Sequence, residues 1–191
     1  MFEKLLIANR GEIACRIAAT ARRMGIRTVA IYSDVDHGGL HVEACDEAVA
    51  IGGASSSESY LNIDKIINAA IQTASGAIHP GYGFLSENAH FAKKCADAEI
   101  AFVGPPVEAI EAMGSKSKAK KLMETVGVPL VPGYYGDEQD VSYLSQKADR
   151  IGFPVLVKAS AGGGGRGMRI VENPDALAEA VASAKREANA A

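Results

Sequence analysis

The sequence predicts an α/β fold in which helices cover both faces of a parallel sheet. Short apolar runs alternate with amphipathic helical patterns over the first ~105 residues, and glycine or proline marks many of the boundaries. Because helices separate the strands, right-handed crossovers should join them and the strands should run parallel. The 191 residues are 48% hydrophobic and 23% charged, as in a globular protein with one large domain or two small ones.

Five strands and the helices between them are predicted in this first part. The β-rich apolar runs are Lys4–Asn9, Thr28–Tyr32, Ala48–Ile51, Ala77–His79 and Ile100–Val103. The helical patterns run from Gly11 to Gly25, at His41–Cys45, Ile63–Ile71 and Asn88–Ala98. The third pattern has the strongest apolar stripe, which predicts burial along one helix face. Its members are Ile63, Ile66, Ile67, Ala70 and Ile71.

The pattern changes after Pro106, where helices follow one another without a strand between them. Helices are predicted at Val107–Met113, Lys116–Val126, Val141–Ile151 and from Pro174 onward. Two strands, Pro154–Ala159 and Met168–Val171, flank a glycine loop. The first two helices, broken at Gly114, are typical of a connector between domains.

Composition and charge exclude several classes of protein. A net charge of −3 does not favour a nucleic-acid binder with a broad basic face. No apolar run is long enough for a membrane-spanning helix, and the run Leu5–Ala8 is too short for a signal-peptide core. Three widely spaced cysteines form no CxxC pair, which favours a reducing compartment. We therefore expect a cytoplasmic protein without nucleic-acid or membrane partners.

The glycine loop is the most specific motif, with five glycines in the six positions from Gly162 to Gly167. Such a backbone can turn successive N–H groups toward an anion without interference from Cβ atoms. It is not a P-loop, because GxxxxGK[ST] is absent and a strand follows. A lid over nucleotide phosphates is one interpretation, and a flexible surface hairpin is the other. Lys158 favours the lid, although alone it is typical of an exposed strand lysine.

Four lysines make the second connector helix basic. They are Lys116, Lys118, Lys120 and Lys121. Most of them should simply solvate a helix face. Lys116, beside the break at Gly114, is the best placed to face a phosphate.

The segment His79–Asn88 follows the fourth strand, at the sheet edge where open parallel sheets bind ligands. Two glycines bracket Tyr82 and would let the backbone approach a ligand while the ring packs on it. A tight turn leading to a helix capped by Ser86 explains the segment equally well. His79 alone is more typical of a hydrogen-bonded core histidine than of a base or metal ligand.

The turn after the first strand lacks a dinucleotide fingerprint. Asn9–Glu12 stands where GxGxxG would be, so nicotinamide or flavin binding is not expected. The sequence also lacks a Cys/His metal cluster, a nucleophile elbow, and an obvious pair of magnesium-binding acids near the glycine loop.

Three segments in this order resemble the N-terminal part of biotin carboxylase, the ATP-dependent component of biotin-dependent carboxylases. They are Leu6–Ala14, His79–Asn88 and Val157–Met168. The resemblance extends over the whole chain. It implies a Rossmann-like pre-ATP-grasp domain at residues 1–113, a helical linker at 114–129 and the start of an ATP-grasp α+β lobe at 130–191.

The resemblance also implies which residues bind substrates. Tyr82 and Gly83 would help to hold the biotin ring. The implied ATP-binding residues are Lys116, Lys158, Gly163, Gly164, Gly165, Arg166 and Gly167.

The implied activity is ATP- and Mg²⁺-dependent carboxylation of biotin on a carrier domain, with bicarbonate as the carbon source. ATP would phosphorylate bicarbonate to carboxyphosphate, and biotin N1 would capture the CO2 released from it. Implied partners are the biotin carboxyl carrier domain, a carboxyltransferase subunit and further copies of the full-length protein.

Members of this family are much longer, and their catalytic and magnesium-binding residues have no matching position here. We therefore assign no catalytic residue and no metal ligand within these residues. We interpret the chain as an N-terminal fragment and expect it to be inactive by itself.

The subtype and several alternatives stay open. The segments Met113–Ser117 and Gly127–Tyr134 look most like a methylcrotonyl-CoA-type acyl-CoA carboxylase. Another ATP-grasp ligase, of the carbamoyl-phosphate or purine-pathway carboxylase type, is one alternative. A non-catalytic interaction module is another, and the missing fingerprint weakens a dinucleotide oxidoreductase.

Overall fold

A computed structural model describes residues 2–158 and 168–190, without side-chain detail at Lys116 and at residues 188–190. The chain divides into two compact units, Met1–Glu111 and Ala112–Ala191.

The first unit is built on a parallel sheet of five strands in the order β3-β2-β1-β4-β5. The strands are β1 Lys4–Ile7, β2 Arg27–Ser33, β3 Glu47–Gly52, β4 Ala77–His79 and β5 Ala101–Phe102. Strands β2 and β3 are added on one side of β1, and β4 and β5 are added on its other side. Strand order therefore reverses between β1 and β4, and the predicted α/β class is confirmed.

Helices follow the strands at the predicted places. They are α1 Gly11–Arg23, α2 Leu40–Glu43, α3 Ile63–Gln72, α4 Ala89–Asp97 and α5 Val107–Gly114, the last ending beyond Glu111. Single 3-10 turns at Asp34–Asp36 and Ser56–Glu58 interrupt the loops.

Both faces of the sheet are buried, as a parallel sheet requires. Leu6 belongs to the apolar cluster formed with α3 and α4, whereas Leu5 and Ile7 belong to the cluster formed with α1. Alternate side chains of β1 thus point to opposite layers. Because both faces of β1 are buried, Leu5–Ile7 form a continuous apolar run instead of alternating with polar residues.

One residue of the predicted apolar stripe on α3 is not buried. Ile66 is completely buried, but Ile71 is 59% exposed. At 100° per residue, position 71 lies about a quarter turn from the centre of the stripe. The helix therefore buries Ile66 and Ile67, partly buries Ile63 and leaves Ile71 in solvent.

The N-cap of helix α4 differs from the residue that the tight-turn interpretation of His79–Asn88 predicts. Asn88, not Ser86, is the N-cap, and its side chain accepts a 2.9 Å hydrogen bond from the N–H of Phe91. The N–H of Ser86 instead donates to the carbonyl of Gly83 and closes the preceding turn.

The second unit has two strands and three helices within the described residues. The elements are α6 Lys116–Thr125, α7 Val141–Ile151, β6 Val155–Lys158, β7 Met168–Val171 and α8 Leu177–Ala190, with a 3-10 turn at Pro174–Ala176 before α8. The two strands are antiparallel. Ala148, Val171, Leu177 and Val181 form its apolar core. The two strands and the apolar face of the last helix match the sequence prediction, whereas the predicted glycine loop lies outside the described residues.

No helix among the described residues is long and apolar enough to cross a membrane. The three cysteines are free; Cys95 is buried, and Cys15 and Cys45 are half-buried.

The contrast within α3 gives a stability prediction. Ile66→Ala removes a fully buried side chain and should lower the free energy of unfolding by about 2–5 kcal/mol. Ile71→Ala changes a largely exposed isoleucine of the same helix to a better helix former, so stability should stay within about 0.5 kcal/mol. Urea unfolding followed by circular dichroism measures both, and equal losses would contradict the assigned helix face.

Candidate functional site

An open cleft of about 520 Å³ lies at the carboxyl ends of β1 and β4, where strand order reverses. In doubly wound sheets this reversal point is where ligands bind, because the loops diverge there. The volume is in the range of small-molecule sites. The lining residues are Asn9, Arg10, Gly11, Glu12, Ile13, Tyr82, Gly83 and Phe84.

The side chain of Asn9 holds the two walls of the cleft together. Its Nδ2 donates to the carbonyl oxygens of Pro80 at 2.8 Å and Tyr82 at 2.9 Å. Its Oδ1 accepts from the N–H of Arg10 at 2.9 Å, and the residue is 1% exposed. Both donors and the acceptor are therefore engaged inside the protein, and the loop after β4 is fixed to the end of β1.

Two glycines shape the loop around Tyr82. Gly81 has φ +66°, and a Cβ there would lie 2.7 Å from Ile13 Cγ2 and 2.8 Å from Asn9 Nδ2. Gly83 has φ +71° with open space around it. The first glycine is required both by conformation and by the close approach of the walls, the second by conformation alone.

Tyr82 stands in the open part of the cleft. It is 64% exposed, and its hydroxyl donates to Glu12 Oε2 at 3.3 Å. Tyr82 is thus held by its main-chain carbonyl, which accepts from Asn9, and by its hydroxyl, while much of the ring surface stays available to a ligand.

Arg10, on the cleft wall, lies over two stacked aromatic rings. The rings of Tyr60 and Phe84 are parallel within 12°, with centroids 5.2 Å apart. The Arg10 guanidinium carbon is 5.2 Å from the Tyr60 centroid and 5.7 Å from that of Phe84. Cation–π attraction therefore adds to the stacking.

Asp36 neutralises Arg10 from behind the cleft. Arg10 Nη1 donates to Asp36 Oδ2 at 3.0 Å, and the hydroxyls of Ser33 and Tyr60 donate to the same oxygen. Burial opposes the charge on Asp36, but these three hydrogen bonds outweigh it and hold the pKa of Asp36 below its usual value. Burial, together with the Asp36 carboxylate, raises the pKa of Tyr60 to about 12. The pair is therefore a carboxylate and a neutral phenol near neutral pH.

His79 ends β4 as a half-buried, hydrogen-bonded residue. Its Nδ1 accepts from the N–H of Gly81 at 3.0 Å, and burial lowers its pKa. A neutral ring that supports the turn matches the core interpretation.

Lys158 is exposed at the end of β6 and pairs in register with Met168 of β7. Leu156, two residues earlier, lies on the same strand face and pairs with Ile170. Leu156 is 45% exposed and Ile170 is 70% exposed. The lysine therefore borders an uncovered apolar strand face of the second unit.

The other predicted nucleotide-binding residues are only partly described. Lys116 is the first residue of α6, and its side chain lies outside the described part of the structure. Gly163, Gly164, Gly165, Arg166 and Gly167 lie wholly outside the described residues.

Tyr82 and Gly83, which are expected from the sequence to bind a ligand, line this cleft, but the residues that hold them were not predicted. No contact of their own was predicted for Asn9 and Arg10, although they belong to the resemblance segment Leu6–Ala14 and mark the place of a missing fingerprint, and Asp36 and Tyr60 were assigned no role. A polar Asn directly after the apolar run Leu5–Ala8 was the available signal, because such a residue is buried only when its amide has partners.

Comparison with known families decides the relationship. The family described as "Biotin carboxylase, N-terminal domain" matches residues 1–110. The chain belongs to this biotin carboxylase family. The family described as "Carbamoyl-phosphate synthase L chain, ATP binding domain" matches residues 115–191.

Curated relatives of the chain include a subunit of an acyl-CoA carboxylase and a biotin carboxylase. It is 57% identical to the mitochondrial methylcrotonoyl-CoA carboxylase subunit alpha of Oryza sativa, over 98% of the chain and 26% of the relative. It is 55% identical to a biotin carboxylase of Nostoc sp., over 100% of the chain and 42% of the relative. The chain thus spans about a quarter to two-fifths of the length of these relatives.

Solved structures of biotin carboxylases share the fold. A Campylobacter jejuni biotin carboxylase in a beta-gamma-ATP complex superposes with a TM-score of 0.94 at 48% identity, covering 100% of this chain and 43% of the other. The biotin carboxylase domain dimer of Hydrogenobacter thermophilus 2-oxoglutarate carboxylase, with MgADP, ADP and bicarbonate, gives 0.92 at 47% identity, covering 100% and 42%.

The role of Asn9 as a donor gives a prediction. Asn9→Asp replaces the donating amide by an oxygen that faces two carbonyl oxygens, so stability should fall by about 1–3 kcal/mol at neutral pH. Asn88→Asp is the matched control, because the Asn88 side chain acts as an acceptor and Asp caps helices equally well. Urea unfolding should show almost no loss for Asn88→Asp, and a similar loss in both variants would contradict the donor role.

Proposed function

We propose that the protein containing this chain carboxylates biotin in an ATP- and bicarbonate-dependent reaction. The observation that carries the proposal is the order of the two family matches. The biotin carboxylase family covers residues 1–110, and an ATP-binding family covers residues 115–191. In this proposal the first region is the pre-ATP-grasp domain (1–113), followed by the linker (114–129) and the first part of the ATP-grasp lobe (130–191).

We assign the biotin ring to the cleft at the β1–β4 edge. Tyr82 offers an exposed ring face, and Gly83 leaves open space beside it. The bicyclic ring of biotin is neutral and partly apolar, which suits packing on an aromatic face. Asn9 supports the assignment, because it fixes the main chain that carries Tyr82.

We assign ATP to the second unit. Lys158 borders the apolar strand face of Leu156 and Ile170, which suits a ligand with a flat apolar part and an anionic part. Lys158 and Lys116 would contact the nucleotide. The segment Gly163–Gly167, including Arg166, would form the lid over the phosphates. Compact cations and backbone amides stabilise charge on a transferring phosphoryl group.

The proposal assigns Mg²⁺ no ligand in this chain. Across the described ranges, no three His, Cys, Asp or Glu side chains come together as metal ligands. Bicarbonate, the biotin carboxyl carrier domain, a carboxyltransferase subunit and a second copy of the complete protein are the proposed partners, in the cytoplasm. We propose that residues 1–191 alone do not turn over ATP in response to biotin.

A carbamoyl-phosphate-type ligase is the second candidate, favoured by the description of the family that matches residues 115–191. The two candidates differ in their response to biotin. Bicarbonate-dependent phosphate release by the complete gene product should rise on addition of free biotin for a biotin carboxylase. Release unaffected by biotin favours the second candidate.

Lys158 provides a test of the ATP assignment. In the complete gene product, Lys158→Gln should weaken ATP binding or turnover by about tenfold to a hundredfold, the worth of a charge-assisted phosphate contact. Lys121→Gln is the control, because Lys121 forms a surface ion pair with Asp137 at 3.2 Å and such pairs contribute little. Steady-state kinetics with varied ATP compares them, and equal effects would refute the role of Lys158.

Tyr82 provides a test of the biotin assignment. Tyr82→Ala removes the ring and should raise the KM for free biotin by about tenfold, since stacking contacts contribute about 1 kcal/mol or more. Tyr82→Phe keeps the ring and removes only the long hydrogen bond to Glu12, so its KM should stay within about threefold. If Tyr82→Ala leaves the KM for biotin unchanged, the ring does not contact biotin.

A further inference from the structure

Asp36 lies outside the cleft but connects three segments around it. It ends the 3-10 turn after β2. Its Oδ2 accepts from Arg10 Nη1 at 3.0 Å, from Ser33 Oγ at 2.7 Å and from the Tyr60 hydroxyl at 2.8 Å. One carboxylate oxygen thus joins the end of β2, the start of α1 and the loop before α3.

The same group supports a strained residue of the cleft loop. Phe84 has φ +38°, a left-handed conformation that is rare for an aromatic residue and persists only where the surroundings enforce it. Its ring stacks on that of Tyr60, and the Arg10 guanidinium lies beside both rings, 5.2 Å from the Tyr60 centroid and 5.7 Å from the Phe84 centroid. Asp36 fixes both supports, because it binds Arg10 and Tyr60 directly.

Phe84 is two residues from Tyr82, and Arg10 lines the same cleft. Without Asp36 the Arg10 guanidinium would lack its charged partner and its orientation over the rings. The loop would keep its backbone bonds to Asn9 and the stacking of Phe84 on Tyr60, but the guanidinium beside the two rings would no longer be fixed.

We propose that Asp36 is a positioning residue for the ligand of this cleft: through Arg10 and Tyr60 it holds Phe84, and thereby sets the loop that presents Tyr82. The inference rests on the proposed function in one respect, which is that the ligand is biotin. The positioning itself concerns only this chain.

Hydrogen exchange on the 191-residue chain tests the positioning without any ligand. In Asp36→Asn the amide N–H groups of Gly81 and Ser86, which are hydrogen-bonded within the loop, should exchange about tenfold faster. Exchange in β1 should be unchanged. Asp34→Asn is the control, because Asp34 is exposed in the same turn. Unchanged exchange in the loop, or an equal rise in β1, overturns the proposal.

Kinetics of the complete gene product test the consequence. Asp36→Asn should raise the KM for free biotin by about tenfold, because small displacements of contact groups are costly, and leave the KM for ATP within about twofold. A merely structural loss would lower the active fraction and change kcat alone. Parallel changes in both KM values, or no change in the KM for biotin, overturn the role.

Tyr60→Phe is the second variant if Asp36→Asn does not fold. It keeps the stacked ring and removes one of the three bonds to Asp36, so loop exchange should rise by a smaller factor. No rise in this variant overturns the proposal. If the wild-type protein shows no biotin-dependent phosphate release, the proposed function fails, while hydrogen exchange still decides whether Asp36 holds the loop.

Discussion

The buried amide of Asn9 is the interaction on which the cleft depends. At the point where strand order reverses, the chain after β4 leaves the sheet and its carbonyls need donors away from water. Asn9 supplies two donors to that loop from the end of β1, although the residue is only 1% exposed. A buried polar side chain is favourable only with such partners, so sheet topology and cleft geometry are set together.

Most of the fold was predictable, because its signals are local. The run at β1 is apolar on both faces, and helix boundaries follow capping residues such as Asn88. The exposure of Ile71 was not predicted, because the sequence does not show how much of an apolar stripe the neighbouring elements cover. The choice of Asn88 over Ser86 depended on which residue closes the preceding turn.

Much of the candidate site was not predictable, because its contacts join distant segments. The local pattern around Tyr82 fitted a ligand contact and a tight turn equally well, and the expectation for Tyr82 and Gly83 came from the resemblance to biotin carboxylase. The hydrogen bond between Asn9 and Tyr82 joins residues 73 positions apart in the sequence, and that between Tyr60 and Asp36 joins residues 24 positions apart. Nothing in the loop containing Asp36 indicates that its carboxylate would face Arg10, since only the crossovers bring β1 and β2 side by side. The Asp36–Arg10 contact therefore follows from the order of the strands in the sheet and not from the spacing of residues in the sequence.

The charges divide the chain into two kinds of binding surface. In the cleft, Asp36 neutralises Arg10, and the Tyr82 hydroxyl engages Glu12. A wall whose arginine is already paired with a carboxylate, and which also carries Glu12, favours a neutral, partly apolar ligand over a phosphate, because an anion would have to compete with the carboxylates. In the second unit, exposed Lys158 stands beside an apolar strand face and favours an anionic ligand with a flat apolar group. The proposed assignment of biotin to the first unit and ATP to the second is consistent with both surfaces. A dinucleotide in the cleft is inconsistent with the first, since its pyrophosphate would approach Glu12 without the glycine-rich turn that normally receives it.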